Sequence, residues 1–313
     1  MARRKKGDPV HGWAIIDKPA GLTSTDVVTR VRRALNAQKA GHAGTLAPLA
    51  TGILAVALGE ATKTIPFVMD AEKTYRFTIR WGEARDTDDR EGRVTATSDV
   101  RPTADAILRA LPAFIGEIEQ TPPAYSAVKV DGERAYDLAR AGEAVELKSR
   151  AVWIGRLELL ARPDADHADF EMLCGKGTYV RAFVRDLAVS LGTYGHVAAL
   201  RRIHSGPFRE GVAVPLDKFL NSVMSAPACE GLLPLKTALD DIPALALSDS
   251  DVTHMRNGQP VMVRGRIFHE AQKLMEERPG EPVFITGPRG DPVALAELDK
   301  GELKPVRVFN FGP

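Results

Sequence analysis

Cysteine is nearly absent from this 313-residue chain: Cys174 and Cys229 are its only two. Two thiols so widely separated make neither a four-ligand zinc site nor the close spacing of a redox pair, and a reducing cytoplasm suits them. Long hydrophobic runs are lacking too, since no stretch of membrane-spanning length is free of charge. The basic start MARRKKGDPV leads into HGWAIIDKPAG, where charge and proline interrupt any signal-peptide core, so the expectation is no export, no membrane and a cytoplasmic location. Loops of the GxGxxG or Walker A type are poorly matched, which argues against familiar small-molecule enzymes built on them. There is no solenoid or propeller repeat and no dominant low-complexity segment.

What is present is the composition of a soluble globular protein, 44% apolar and 27% charged. Its length exceeds what one core usually supports, which suggests a large domain plus a small one. The net charge of +1 hides asymmetry: nine Lys or Arg against three Asp or Glu fall within residues 1–40. Such a patch attracts anionic partners, including RNA, although basic tails are often only solubilising.

Along the chain, Gly12–Asp17 reads as a strand and Lys18 to Gly21 as a turn. Ser24 is the expected N-cap of a helix whose stripe is Val27, Val28, Val31 and Leu35, leaving Arg30, Arg32 and Arg33 for solvent or a phosphate backbone. A glycine-rich loop then enters the apolar run Ile53–Leu58, a buried-strand candidate, and Ala61–Met69 reads as a short helix. Thr74–Trp81 alternates cleanly, with Tyr75, Phe77, Ile79 and Trp81 on its dry side. Further strands are expected near Arg93, at Val152–Leu160 and at Phe170–Cys174. Thr103–Leu111 and Gly177–Leu191 have helical character, the latter with Val180, Phe183, Val184, Leu187 and Leu191 as its stripe. QTPPAYSAVKV, Gln120 to Val130, reads as a protruding arm before a helical Ala135–Arg140. Punctuation around 231–245 marks a boundary before a β-rich tail resembling a small barrel, with strands at Val261–Val263, Val283–Thr286 and Pro292–Leu298.

The segments KPAGLTSTDVVTRVRR, GHAGTLAPLATGILAVALGEATK, EKTYRFTIRWGEARDTDDREG, CGKGTYVRAFVRDLA and LRRIHSGPF occur in this order. Together they resemble the TruB family of bacterial tRNA pseudouridine-55 synthases over nearly all of residues 10–210. The tail from about 246 to 313 resembles, more weakly, the PUA-like RNA-binding domain appended to bacterial members. The resemblance implies an α+β fold: a catalytic domain on a mixed β-sheet spanning 10–240, an RNA-contacting insertion at about 120–145, a PUA-like β-barrel at 246–313, and a basic tail at 1–9. It implies isomerisation of uridine to pseudouridine in the T-arm stem-loop of tRNA, with no cofactor, no metal and no obligate protein partner.

Carried over residue by residue, the resemblance puts the catalytic aspartate at Ala47, in GTLAPLA. A methyl group has neither a nucleophilic lone pair nor a titratable proton, so this chain is expected to be catalytically inactive while still holding tRNA. Tyr75 matches the tyrosine that lies against the target base, and Arg181 the arginine that pairs with the missing carboxylate; here Arg181 is left to phosphate, water or Asp186. His42 matches a histidine of the RNA-facing loop, Asp88 an acid that organises the uridine pocket, and Leu200 the apolar packing near the base. Tyr179 joins this substrate-binding set, and Lys18 with Pro19 matches the motif supporting the catalytic loop. Arg30, Arg33, Arg201 and Arg202 are RNA-backbone candidates, the last two otherwise a solvated ridge. Read alone, Tyr75 and Leu200 would be core residues, Arg181 a helix-surface arginine, and Asp86, Asp88 and Asp89 an ordinary polar turn. Two further readings are a natural tRNA chaperone without chemistry and a small-molecule isomerase.

Overall fold

The computed structural model describes residues 7–126, 128–130, 133–135, 147–225 and 231–311. Most of the basic tail, half of the 120–145 insertion, the expected helix at 136–140 and Cys229 lie outside the described residues.

The chain opens with β1 (Gly12–Lys18), α1 (Ser24–Ala34), β2 (Ala40–His42) and β3 (Thr51–Leu58). A 3-10 turn, Gly59–Thr64, runs into α2 (Ile65–Asp70), then β4 (Lys73–Trp81), β5 (Glu83–Arg85), β6 (Val94–Thr97), α3 (Ala104–Ala110) and β7 (Gly116–Gln120). The short pair β8 (Lys129–Val130) and β9 (Glu133–Arg134) precedes β10 (Arg150–Ala161), β11 (His167–Cys174), α4 (Val180–Ser190) and β12 (Gly195–Ser205). Next come β13 (Phe208–Arg209), β14 (Val214–Pro215) and α5 (Leu216–Ser225). The C-terminal part holds β15 (Ala244–Ala246), α6 (Asp249–Arg256), β16 (Val261–Met262), α7 (Arg266–Glu277), β17 (Val283–Thr286), β18 (Pro292–Asp299) and β19 (Glu302–Val308).

Ten strands form one mixed sheet in the order β14-β1-β3-β12-β4-β11-β10-β7, with β2 on β3 and β13 on β12. Its parallel pairings are β1 with β14 and β3 with β12. The expected dry side of β4 is realised: Phe77, Ile79 and Trp81 are buried against Phe170, Phe183, Val184 and Leu187, so α4 and α3 cover that part of the sheet. A second core lies between α1, α5 and the β1–β3 pair, built on Ile16, Val27, Val31, Leu54 and Phe219.

Local signals set most ends. Thr23, not Ser24, caps α1: its side chain accepts from the Asp26 backbone while the Asp26 carboxylate accepts from the Thr23 backbone. Ser24 is instead buried, and its hydroxyl is used elsewhere. Lys73, almost fully buried, turns its ammonium onto the carbonyls of Val68, Met69 and Ala71, closing the C-terminal end of α2.

The tail forms a curled five-stranded half-barrel sheet, β15-β17-β18-β19-β16, around its own core of Leu245, Met255, Ile285, Ala294 and Leu303. Helices α6 and α7 contribute to this core. Phe284, Leu295 and Phe309 face the other way, into a core shared with Trp13 and Ile15. Polar bonds follow the same contact: Lys63 Nζ donates to the Val308 carbonyl at 2.8 Å and the Asn310 N–H to Glu60 at 2.7 Å. No described helix is long and apolar enough to cross a membrane.

Candidate active site

Position 47 sits in the turn between β2 and β3, held mainly through main-chain groups. The Ser24 hydroxyl accepts from the Leu46 N–H at 2.9 Å and donates to the Leu46 carbonyl at 3.2 Å. Pro48 O accepts from the Gly21 N–H at 2.8 Å and from Lys18 Nζ at 3.2 Å. Lys18 also donates to Pro19 O at 2.9 Å. Its side chain is wholly buried, and burial pulls its pKa down to about 8. The KP and TS residues therefore act as one brace beneath the loop.

Ala47, Tyr75 and Leu200 converge. Each is half-buried, and each packs against both of the cores described above, so the three mark the seam between them. Strand register explains the convergence: Tyr75 pairs with Arg202 and Phe77 with Leu200 across β4 and β12, which places these four side chains on one side of the sheet. Arg202, expected at an RNA-facing or solvated surface, is 1% exposed. Its Nε donates to Ile53 O at 2.8 Å and its Nη2 to Gly44 O at 3.1 Å. Burial raises the Tyr75 phenol pKa, with Arg202 opposing. His42, on β2, has its pKa lowered by burial and then by Arg202. Its Nδ1 is buried with no hydrogen-bond partner among the described residues.

A second group surrounds the first turns of α4. Arg181 donates to Asp89 Oδ2 at 3.1 Å, to Thr87 O at 2.9 Å and to Tyr125 O at 2.8 Å. The sequence leaves Arg181 to phosphate, water or Asp186; its partner is Asp89, 3% exposed and one of three acids in its turn. Asp88, adjacent and left-handed at φ 58, pairs instead with Arg185 at 3.0 Å, and Arg185 also takes Asp186 and Thr121 O. Burial lifts the Asp88 carboxyl to about 6 against the pull of Arg185. The DTDD turn is thus built into the fold: Arg90 N–H donates to Val197 O and Val197 N–H to Asp88 O, tying it to β12. Tyr179 closes this group, its N–H donating to Gln120 Oε1 at 2.7 Å and its ring lying beneath Arg150, 5.2 Å from the guanidinium carbon.

Arg30 and Arg201 fall elsewhere. With Lys18, Asp17, Leu216 and Leu220 they line a cavity of about 480 Å³. Arg201 grips Asp17 through two bonds of 2.9 Å and Glu210 through one of 2.6 Å. Arg33 is exposed near the end of α1.

The N-terminal domain model of the TruB family pseudouridylate synthases matches residues 32–180, and the tRNA pseudouridylate synthase B C-terminal domain model matches 181–240. The chain belongs to the TruB family. It is 57% identical over 312 residues to the tRNA pseudouridine synthase B of Caulobacter vibrioides, covering 99% of this chain and 100% of that one. The Rhodospirillum rubrum protein of the same name is 52% identical over 313 residues, covering 99% and 100%. Among solved structures, a chain of a Cbf5-Nop10-Gar1 complex aligns with a TM-score of 0.71 at 25% identity, covering 97% of this chain and 86% of that one. A chain of an H/ACA RNP bound to a substrate RNA shares the fold at a TM-score of 0.70 and 22% identity, covering 100% and 93%.

Within this TruB frame, the two family models meet between residues 180 and 181, at the start of α4. Arg181 and Arg185 therefore open the second matched segment, while the seam residues Ala47 and Tyr75 belong to the first and Leu200 to the second.

Proposed function

We propose that this chain is the RNA-holding frame of a tRNA pseudouridine-55 synthase that lacks the nucleophile at position 47. The observation that carries the reading is the convergence of Ala47, Tyr75 and Leu200 on one seam, with residue 47 on a loop braced by Lys18, Ser24 and Arg202. A uridine that leaves the T-loop stack meets there an aromatic face at Tyr75, an apolar wall at Leu200, and at His42 Nδ1 a buried polar atom with no partner among the described residues. Arg30, Arg33 and Arg201 are the phosphate-contact candidates, and affinity weakens with salt if they serve so.

Isomerisation needs an N–C glycosidic bond broken, the base turned, and a C–C bond made. A carboxylate at 47 would attack the sugar or take its proton, and Ala47 does neither. The test is a paired assay on T-arm RNA with the chain as given and with Ala47→Asp. Comparable binding by both is expected, with pseudouridine formed by Ala47→Asp and lowered at least about 10⁴-fold in the Ala47 chain. Turnover by the Ala47 chain would refute the inactivity. No product from Ala47→Asp, together with faster tRNA refolding, would favour a chaperone without chemistry.

A further inference from the structure

Arg202 is, with Lys18 and Lys73, one of the buried cations among the described residues. It is 1% exposed, yet among the described residues no carboxylate lies within salt-bridge distance of it. A buried, uncompensated guanidinium is costly, and such charges cluster where a site uses them.

The loop carrying position 47 is shaped around this one residue, its side chain at one end and its main chain at the other. At its start, Gly44 adopts φ +95, its carbonyl accepts from Arg202 Nη2, and a Cβ there would come within 3.3 Å of Nη1. At its end, Gly52 also has φ +95, and a Cβ there would fall 2.2 Å from the Arg202 carbonyl oxygen. The next residue, Ile53, accepts from Arg202 Nε. Both ends of the segment 44–53 thus terminate on Arg202, while across the sheet its paired residue is Tyr75.

We propose that Arg202 is a positioning residue for the isomerisation: its planar fork pins both ends of the loop carrying position 47, and its unpaired charge lies under the seam between that loop and Tyr75. The role rests on the function proposed above. Lysine, a point charge on a flexible stem, supplies the charge without the two-ended fork, whereas methionine supplies neither.

Arg202→Lys and Arg202→Met, each in the full chain with and without Ala47→Asp, separate the two contributions. With Asp at 47, Arg202→Lys is expected to slow single-turnover pseudouridine formation about 10²-fold, with the Kd for T-arm RNA unchanged within about twofold, because a loop displaced by about 1 Å costs that much in rate. Arg202→Met slows it further. The second readout needs no turnover: in the Ala47 background, NMR titration of His42 should show its pKa rising in Arg202→Met and staying near the parent value in Arg202→Lys. Arg202→Gln replaces Arg202→Met if the latter does not fold. The His42 titration reports the charge at 202, and the rate with Asp at 47 against an unchanged Kd reports the positioning. Full rate in Arg202→Lys, or a His42 titration indifferent to the charge at 202, overturns the proposal. If Ala47→Asp forms no product at all, the functional reading fails, and the His42 titration still decides whether the charge lies where we place it.

Discussion

Removing the Asp89 carboxylate should cost far more stability than removing any exposed acid. Asp89 is 3% exposed and accepts three bonds: from Arg181 Nη1 at 3.1 Å, from the Thr87 hydroxyl at 2.7 Å and from the Glu91 N–H at 3.1 Å. Deleting one partner of a buried ion pair strands the other, at a cost of about 3–5 kcal/mol. Arg181 retains the Thr87 and Tyr125 carbonyls, so Asp89→Ala belongs near the lower end, at about 3 kcal/mol. The assay is urea unfolding of the Ala47 chain, Asp89→Ala, Arg181→Met and the double variant. A coupling of about 1 kcal/mol or more is expected between the two positions. Asp70→Ala is the control, because its pair with Lys176 is exposed on both sides, and no measurable loss is expected there. An Asp89→Ala cost as small as the control's would refute the reasoning.

The Asp88 carboxyl gives a pH prediction with an unusual sign. Its folded pKa, about 6, lies above the ordinary value of 3.8, so the folded state binds more protons between those limits. Its contribution to stability therefore grows as pH falls through 6 and is complete below 3.8; the difference in Tm between the chain and Asp88→Asn should move in the chain's favour over that window. A difference that stays flat or moves the opposite way refutes the assignment. Gly52→Ala and Gly21→Ala both place a side chain at positive φ, but only Gly52 meets a backbone atom, 2.2 Å away, whereas Gly21 has nothing within 4 Å. Gly21→Ala should cost about 1–2 kcal/mol in urea unfolding and Gly52→Ala markedly more; equal costs would contradict the close approach of β3 to β12.

Where periodicity is strong the fold was legible. The alternation in β4 places Phe77, Ile79 and Trp81 in the core and turns Arg76 and Thr78 toward Glu171 and Asp169 on the neighbouring strand. The α4 stripe from Val180 to Leu187 is buried as its spacing predicts. The strand β12 is not legible, because its arginines and histidines mask the alternation; its place beside β4 depends on pairings far apart in sequence. The same cause hid Arg202. An LRR run looks like a surface ridge, and only register decides that Arg201 joins Asp17 and Glu210 while Arg202 turns inward. The N-cap of α1 shifted by one residue because Thr23 and Asp26 complete a capping box, which frees Ser24 for the loop. Helices α6 and α7 were missed beside the turn-rich strands of the tail. Among Asp86, Asp88 and Asp89, sequence offered three equal candidates, and burial with the spacing of Arg181 and Arg185 on one helix separates them.

The frame should be indifferent to what stands at position 47. The bonds that fix this loop use the main chain at Gly44, Leu46 and Pro48 and the side chains of Arg202, Ser24 and Lys18; residue 47 itself contributes its carbonyl, which accepts from the Ala50 N–H at 3.0 Å. Ala47→Asp leaves every one of these bonds available. The new carboxylate enters a half-buried seam, where its desolvation is opposed by the field of Arg202, so the net change in stability should stay within about 1 kcal/mol. Urea unfolding of the two forms side by side measures it. A loss of several kcal/mol would mean that the loop is shaped for an apolar residue and that the seam was never a carboxylate's place; near-equality would mean that the scaffold is set by the brace, and the chemistry by a single side chain placed upon it.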